Sequence, residues 1–276
     1  MAGSGGAIVG WEARAAPYGG EMREVTDDTG ERMAVPNAVR RVVSLVPSLT
    51  ETLAATERGL LVGVTDWCSH PADLDLPRVR GTKNPDVEAV LALDPDLVVA
   101  NREENREPDL SALRRAGVAV YVTDIRTVPD AFGSLGRLLA VCGLPRPGWL
   151  ADAEREWRAG PDRGDQPTVV VPIWRRPWMA LGSDTFAGDL VQRLGYRNVL
   201  GDSPERYPRF DPAALPPVNL VLFPDEPYEF TPEDGPEAFP GTPYACVDGR
   251  SLTWYGPSLL GARRRLLKLI GAALEA

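Results

Sequence analysis

Histidine and cysteine are scarce in this sequence, which has one His and three Cys among 276 residues. A single histidine restricts acid–base chemistry near neutral pH. Because Cys68, Cys142 and Cys246 lie far apart along the chain, they indicate neither a disulfide framework nor a CxxC metal site. Cys68 and His70 stand two residues apart and are candidate metal ligands. Without a third ligand nearby, a packed thiol and a hydrogen-bonded imidazole are the expected roles, and we assign no metal.

Long apolar runs and catalytic signatures are absent as well. No run approaches the roughly 18 apolar residues that a membrane span needs, so no membrane span is predicted. Residues 1–20 have neither a basic n-region nor an apolar h-region. The sequence as given therefore predicts a cytoplasmic protein, or a periplasmic or extracellular one if a leader has been removed. Because no G-x-S-x-G elbow, P-loop, dinucleotide fingerprint or H-E-x-x-H motif occurs, no catalytic residue is assigned and binding is the default function.

Positive charge is in deficit, with 30 Lys and Arg against 39 Asp and Glu and a formal net charge of −9. Nucleic-acid binders need a basic face that releases counterions, so this class is excluded. The hydrophobic fraction of 43% is enough for the core of one large domain or two small ones. The sequence therefore predicts a globular protein without a nucleic-acid partner, and we expect a monomer.

What the sequence does contain is a long-period internal repeat. Apolar runs that suit buried strands alternate with helical patterns, which predicts parallel sheets. The clearest pair of segments is Asp94-Pro-Asp-Leu-Val-Val99 and Pro217-Val-Asn-Leu-Val-Leu222. The predicted strands recur about 125 residues apart, so that 42–46 matches 168–171, 97–100 matches 220–223, and 118–122 matches 244–247.

A helical connector separates the two copies. Residues 129–142 carry one apolar stripe, and after a break at 144–148 a second helical run covers 149–158. We predict an α/β fold with two similar lobes, whose parallel-type sheets are joined by this connector and enclose a ligand cleft between the lobes. The predicted divisions are a poorly ordered extension (1–21), an N-terminal lobe (22–128), the connector (129–160) and a C-terminal lobe (161–276).

Helix starts point toward the predicted cleft. Ser48 and Glu51 form an S-x-x-E capping box, which predicts that a helix begins at Ser48. Ser183 or Asp184 is the predicted cap of the corresponding helix in the second lobe. Two such helix ends would receive acidic groups of a ligand, although capping alone explains these serines equally well.

Aromatic residues mark the loops that follow the predicted strands, where open parallel sheets bind ligands. Flat aromatic side chains suit a broad, partly apolar ligand, and the alternative is that they anchor their loops to the core. Arg175 and Arg176 would clamp a carboxylate or phosphate, or are simply solvated. The ligand-binding candidates are Ser48, Trp67, Trp174, Arg175, Arg176, Trp178, Tyr228, Phe230, Trp254 and Tyr255.

Several motifs carry a resemblance to a known family. From about Val25 onward, the sequence resembles the helical-backbone (class III) periplasmic-type substrate-binding proteins, the receptors of ABC transporters for cobalamin, haem and ferric siderophores. The cobalamin-binding branch is the most similar. The carriers are Val25-Thr-Asp-Asp-Thr-Gly-Glu-Arg-Met-Ala-Val-Pro36, Arg41-Val-Val-Ser-Leu-Val-Pro-Ser-Leu-Thr-Glu51, Leu61-Val-Gly-Val-Thr65, Val87-Glu-Ala-Val-Leu-Ala-Leu-Asp-Pro-Asp-Leu-Val-Val99 and Leu194-Gly-Tyr-Arg-Asn-Val199.

The resemblance implies two rigid lobes joined by one long helix and a metal-chelate ligand in the cleft. A corrinoid is favoured over haem or a ferric siderophore, and no resident cofactor is expected beyond this ligand. Family members dock on their ABC permease through one acidic residue in each lobe, and Glu88 stands at the first of these positions. The second position reads Asp211-Pro-Ala-Ala-Leu215, without a Glu, which departs from the family pattern.

Two other functions remain open at this point. One is a cytoplasmic enzyme on the same fold, chelatase-like or biosynthetic, in which His70 with Cys68 or Asp66 is the reactive group. The other is an interaction module whose cleft binds no small molecule.

Overall fold

The computed structural model of the protein describes residues 21–158 and 166–275. The predicted extension, residues 1–21, lies almost entirely outside the described residues. The first half of the chain contains β1 (Met22–Thr26), β2 (Arg32–Pro36), β3 (Val42–Ser44), α1 (Pro47–Glu57), β4 (Leu61–Val64), β5 (Arg80–Gly81), β6 (Asn84–Pro85), α2 (Val87–Ala92), β7 (Leu97–Asn101), α3 (Glu107–Arg115) and β8 (Val120–Thr123). The second half contains α4 (Val128–Val141), α5 (Gly148–Glu156), β9 (Thr168–Val170), β10 (Pro172–Trp174), β11 (Met179–Ala180), α6 (Phe186–Arg193), β12 (Arg197–Asn198), β13 (Leu220–Pro224), β14 (Tyr244–Val247), α7 (Gly249–Thr253) and α8 (Ala262–Leu274).

Two four-stranded parallel sheets form the centres of two lobes. The strand order is β4-β3-β7-β8 in the first sheet and β12-β9-β13-β14 in the second. In each lobe the first strand of the repeat lies between the second and the third, so the two sheets share one topology. Their central strands, β7 and β13, are buried along their whole length, as the continuous apolar runs predict. The predicted α/β fold with two similar lobes is confirmed.

The lobes differ in their helices. In the first lobe α2 and α3 precede and follow β7, whereas single 3₁₀ turns at 212–214 and 236–238 stand at the corresponding places of the second lobe. Proline recurs every few residues between 204 and 243. Because proline removes a helical hydrogen bond and clashes with the preceding turn, this segment cannot form the helices of the first copy.

The connector consists of two helices, α4 and α5, instead of the one long helix that the family resemblance implies. The chain turns at Gly143, whose φ is +74°. The N–H of Gly143 donates to Ala140 O at 3.0 Å, and the N–H of Leu144 donates to Leu139 O at 2.8 Å. This is a Schellman ending, which needs a left-handed residue after the helix and is therefore suited to glycine.

Both predicted helix caps are placed differently in the structure. α1 begins at Pro47 with Val46 as N-cap, and no side chain caps it. Proline suits the first helical position because its φ is already close to the helical value. An N–H at this position has no partner within the helix, so the lack of one in proline costs no hydrogen bond. α6 is capped by Thr185, whose Oγ1 accepts from the N–H of Gly188 at 3.1 Å. The caps predicted at Ser48 and at Ser183 or Asp184 were wrong.

One large apolar core runs through both lobes and the connector. The α4 residues of the predicted stripe, among them Leu135, Leu138 and Leu139, are fully buried. Trp157, just after α5, is also buried, and its Nε1 donates to Leu259 O at 3.1 Å in the second lobe. Within the described part of the chain, no helix is long and apolar enough to cross a membrane.

Candidate functional site

The carboxyl ends of the two sheets face each other across an interlobe cleft. Tyr207 Oη, which lies between β12 and β13, donates to Glu103 Oε2 at 3.1 Å in the loop after β7. Tyr255 Oη, after β14 and α7, donates to Glu104 Oε1 at 3.2 Å in the same loop. Residues that follow β7, β12 and β14 therefore meet at one place, as expected for the ligand site of open parallel sheets.

Two asparagine side chains hold the loop after β7 in position. Asn101 Oδ1 accepts from the N–H groups of Glu103 at 2.8 Å and Glu104 at 3.3 Å. Asn105 is buried, and its Nδ2 donates to Leu45 O at 3.3 Å and to Thr82 O at 2.9 Å. Asn side chains commonly replace backbone partners in such turns. The loop thus presents two adjacent carboxylates to the second lobe.

Glu103 contacts one cation through its carboxylate and another through its backbone carbonyl. Arg206 of the second lobe forms a salt bridge with its carboxylate, and Lys83 Nζ donates to its backbone carbonyl. Burial raises the pKa of Glu103, while the charge of Arg206 opposes this rise. Arg206 Nη2 is buried without a partner among the described residues.

Glu104 has no such partner. Across residues 21–158 and 166–275, no cation forms an ion pair with it. Burial raises the pKa of this carboxyl to about 7, and the negative charges of Glu103 and Glu226 act in the same direction. Its contact from the second lobe is the Tyr255 hydroxyl, and a side-chain hydrogen bond also links Tyr255 to Ser48 at the start of α1. A carboxyl group thus lies at the floor of the cleft, where the Tyr255 hydroxyl and the nearby charge of Lys83 only partly oppose the rise in its pKa that burial causes.

A second cross-lobe pair joins α1 to α7. Arg250 forms a salt bridge with Glu51 Oε1, and the Arg250 guanidinium lies 5.7 Å from the Trp254 ring centroid. Glu51 is only 6% exposed, yet its Oε2 has no partner in the described structure. Gly256 packs directly against this turn of α1, where an added Cβ would lie 2.8 Å from Thr52 Oγ1. This close approach requires glycine.

Glu226 provides a third carboxyl group at the carboxyl end of β13. Burial and the neighbouring Asp225 raise its pKa, while side-chain hydrogen bonds from Trp254 and Thr253 lower it. In the internal repeat, β13 corresponds to β7, so the acidic residues after β13 correspond to those after β7. The two walls of the cleft therefore both carry carboxyl groups.

The structure divides the predicted ligand-binding residues into three places. Ser48, Trp254 and Tyr255 come together at the interlobe contact. Trp67 lies in the loop after β4 and is 67% exposed. Its indole packs against Gly81, where an added Cβ would lie 3.2 Å from Trp67 Nε1. The remaining candidates lie in the second lobe, where the aromatic side chains form one group and Arg175 lies over the Trp178 ring. They are Trp174, Arg175, Arg176, Trp178, Tyr228 and Phe230. Their role as ligand contacts stays a prediction.

That second-lobe group is tightly packed. Trp178 stacks on Phe230 with ring centroids 5.8 Å apart and an interplanar angle of 7°. Trp174 meets Tyr228 edge-on at 5.7 Å. Arg175 lies 5.1 Å from the Trp178 centroid and forms ion pairs with Asp234 and Glu237, so its charge is already matched. Arg176 is exposed.

Cys68 and His70 are not arranged as a reactive pair. The Cys68 Sγ lies 3.0 Å from Thr50 Oγ1 and 3.1 Å from Thr65 Oγ1, and burial raises the pKa of the thiol. His70 Nδ1 lies 3.0 Å from Ser69 Oγ, and its ring meets Trp254 edge-on at 5.6 Å. The residues that the structure describes contain no group of three or more His, Cys, Asp or Glu that could hold a metal ion.

A separate polar cavity of about 410 Å³ lies beside the start of α6. At its edge Arg126 of the first lobe bridges to Asp184 of the second at 2.6 Å. None of the ligand-binding residues predicted from the sequence lines this cavity. The aromatic side chains and the cavity therefore mark different parts of the molecule.

Sequence reasoning missed most of the polar cleft residues. The loops after β7 and β14 were expected to face the cleft, and the two consecutive glutamates that come one residue after a buried strand were a usable signal. The partners on the opposite wall come from segments without any motif. The missed residues are Glu51, Lys83, Glu103, Glu104, Arg206, Tyr207, Glu226 and Arg250.

Comparisons with known sequences agree with the predicted resemblance. Residues 42–138 match a family model described as periplasmic binding protein. The vitamin B12-binding protein of Pectobacterium carotovorum is 27% identical over 62% of this chain and 65% of its own length. That of Vibrio cholerae is 26% identical over 66% of this chain and 68% of its own length. The alignments thus span about two thirds of these relatives.

Solved structures share the fold over most of the chain. A periplasmic vitamin B12-binding protein of Vibrio cholerae superimposes with a TM-score of 0.68 and 18% identity, covering 86% of this chain and 99% of that one. A periplasmic haem-binding protein of Roseiflexus gives 0.67 and 21%, with the same coverage. A Helicobacter pylori protein solved with nickel and histidine gives 0.75 and 14%, covering 92% and 90%. The resemblance to periplasmic binding proteins of the cobalamin, haem and siderophore type is confirmed.

Proposed function

We propose that this chain is a substrate-binding protein that holds a bulky metal chelate in its interlobe cleft, and that the chelate is a corrinoid in preference to haem or a ferric siderophore. The observation that carries the proposal is the meeting of the two sheets' carboxyl ends, where Tyr207 and Tyr255 reach across to Glu103 and Glu104. This meeting occurs in a fold shared with proteins named for vitamin B12 and haem.

The preference for a corrinoid rests on the names of the relatives that are similar in sequence and not only in fold. Those at 26–27% identity are named vitamin B12-binding proteins, whereas the haem-binding structures are similar in fold. An enzyme on the same fold gains no support. The buried Cys68 thiol, with its raised pKa, is a poor nucleophile because it stays protonated at neutral pH.

We further propose that the protein works outside the cytoplasm with an ABC permease. The comparisons lend no support to the cytoplasmic location expected from the sequence, since the solved relatives are described as periplasmic. Glu88 is exposed in the first turn of α2, where a partner can reach it. At the matching place in the second lobe, Asp211 is exposed at the start of a 3₁₀ turn and offers the acidic group that a Glu would otherwise supply.

Titration with cyanocobalamin, haemin and ferrioxamine tests the ligand class. Tryptophan quenching and calorimetry should show binding of cyanocobalamin with a Kd well below ~100 μM, which corresponds to ~5.5 kcal/mol of binding free energy. Weaker or no binding of all three chelates would contradict the proposed function. Tighter binding of haemin than of cyanocobalamin would support a chelate-binding protein but contradict the preference for a corrinoid.

A further inference from the structure

The two arginines at the cleft floor are already paired with carboxylates, while the exposed Lys83 donates to a neutral carbonyl. Arg206 pairs with Glu103, Arg250 pairs with Glu51, and Lys83 donates to the Glu103 carbonyl. Arg206 Nη2 and Arg250 Nε keep an N–H without a partner among the described residues, but the charge of each guanidinium is matched by its carboxylate. A ligand carboxylate would have to take an arginine from a buried glutamate, which leaves that glutamate unpaired at high cost.

Two carboxyl groups at the cleft floor also have oxygens that lack a full set of donors. Glu104 receives the Tyr255 hydroxyl across the cleft at 3.2 Å and has no ion pair in the part of the chain that the structure describes. Glu51 is more than nine-tenths buried, and its Oε2 has no hydrogen-bond partner there. A buried acceptor without a donor is costly, so a ligand that brings donors gains by satisfying it.

We propose that Glu104, together with Glu51, makes the cleft select chelates whose periphery carries hydrogen-bond donors such as primary amides, and reject chelates that carry carboxylates there. This selectivity rests on the proposed function. The Tyr255 hydroxyl occupies the place of the ligand's donor. An amide N–H of the ligand takes this place by displacing the Tyr255 hydroxyl from Glu104, while the Tyr255 ring stays in the shared core.

A carboxylate in the same place would face like charge from both walls. Glu103 and Glu104 lie on the first-lobe wall and Glu226 on the second. The charges of Glu103 and Glu226 oppose ionisation of Glu104, and the charge of Lys83 offsets part of this opposition. Like charges brought together in a desolvated site reduce affinity strongly. The selection therefore has two causes: amides donate hydrogen bonds to the carboxylates of the cleft, and carboxylates of a ligand are repelled by them.

The test compares two corrins that share one ring but differ at the periphery. Dicyanocobinamide carries amides, and dicyanocobyrinic acid carries carboxylic acids. At pH 8 the wild-type protein should bind the amide form at least ~10-fold more tightly. Glu104→Gln removes the charge at nearly constant size and should bring this ratio close to one. Glu104→Asp keeps the charge and should keep the preference.

Glu31→Gln is the matched control, because Glu31 is an exposed glutamate between β1 and β2, away from the cleft. It should leave the ratio unchanged, and melting curves check that each variant is folded. An unchanged ratio in Glu104→Gln, or an equal loss of preference in Glu104→Asp, overturns this inference while the proposed function stands. If wild-type protein binds neither corrin, both are overturned.

Discussion

At the residue scale, burial separates aromatic side chains that look alike in the sequence. Trp67 and Trp178 both follow predicted strands in loops expected at the cleft. Trp178 packs against Phe230, Phe210 and Phe239, with centroids 5.7–6.0 Å away, whereas Trp67 is 67% exposed. Sequence reasoning could not tell these environments apart, because an aromatic loop residue serves packing or binding with the same local pattern.

Trp178→Ala is therefore expected to lower the free energy of unfolding by about 3 kcal/mol, since it removes one ring from a packed aromatic group. Trp67→Ala should change it by less than ~1 kcal/mol but weaken chelate binding by roughly tenfold if Trp67 is an anchor. Urea denaturation and ligand titration of the two variants measure both effects. Equal stability losses would show that the difference in burial is unimportant.

Glu104 should make stability depend on pH. Its pKa is raised by burial from 4.5 to about 7 in the folded protein, so its contribution to stability is fully present below about pH 4.5 and is lost as pH rises to about 7. Between pH 4.5 and 8 the wild-type free energy of unfolding should fall relative to that of Glu104→Gln by ~1–3 kcal/mol. Urea denaturation at several pH values measures this difference, and parallel profiles would contradict it.

At the scale of elements, tertiary contacts override a local signal at the start of α1. The Ser48-x-x-Glu51 pattern predicts a capping box, yet both side chains serve the second lobe instead. Ser48 bonds Tyr255, and Glu51 bonds Arg250. Pro47 takes the first helical position, so the helix begins one residue early without a side-chain cap. A charged partner across the cleft outcompetes a local backbone N–H.

The break between α4 and α5 gives a matched pair of glycine variants. Gly143→Ala should lower the free energy of unfolding by about 1 kcal/mol, because φ is +74° there and an L-residue is strained. Gly148→Ala, at the first position of α5, meets no atom within 4 Å of its new Cβ. It should be neutral or stabilise by up to ~1 kcal/mol. Thermal or urea unfolding compares them, and a stable Gly143→Ala would argue against the Schellman ending.

At the scale of the whole molecule, the two lobes share one core. The large apolar cluster contains residues of the first sheet, of α4 and α5, of the second sheet and of α8. The hydrogen bond from Trp157 to Leu259 continues this contact beyond the connector. We therefore expect such lobes to open only by small movements of their cleft edges, since a large separation would expose the shared core.

The shared core predicts one cooperative unfolding transition. Scanning calorimetry should give equal calorimetric and van't Hoff enthalpies. Far-ultraviolet circular dichroism and tryptophan fluorescence should follow the same curve in urea. Two separated transitions would mean that the lobes fold as independent domains.

Local patterns sufficed for the six strands paired in the repeat, the connector helices and the two-lobed plan, but not for two-residue strands such as β12. Buried strands and amphipathic helices leave a periodic trace within a few residues, and the repeat shows in paired segments such as those before β7 and β13. The polar lining of the cleft depended on the tertiary structure. Glu104 and Tyr255 are 151 positions apart, and Glu51 and Arg250 are 199 apart. Their pairing depends on how two folded lobes approach each other. A periodic pattern within a few residues contains no information about contacts between residues so far apart in sequence.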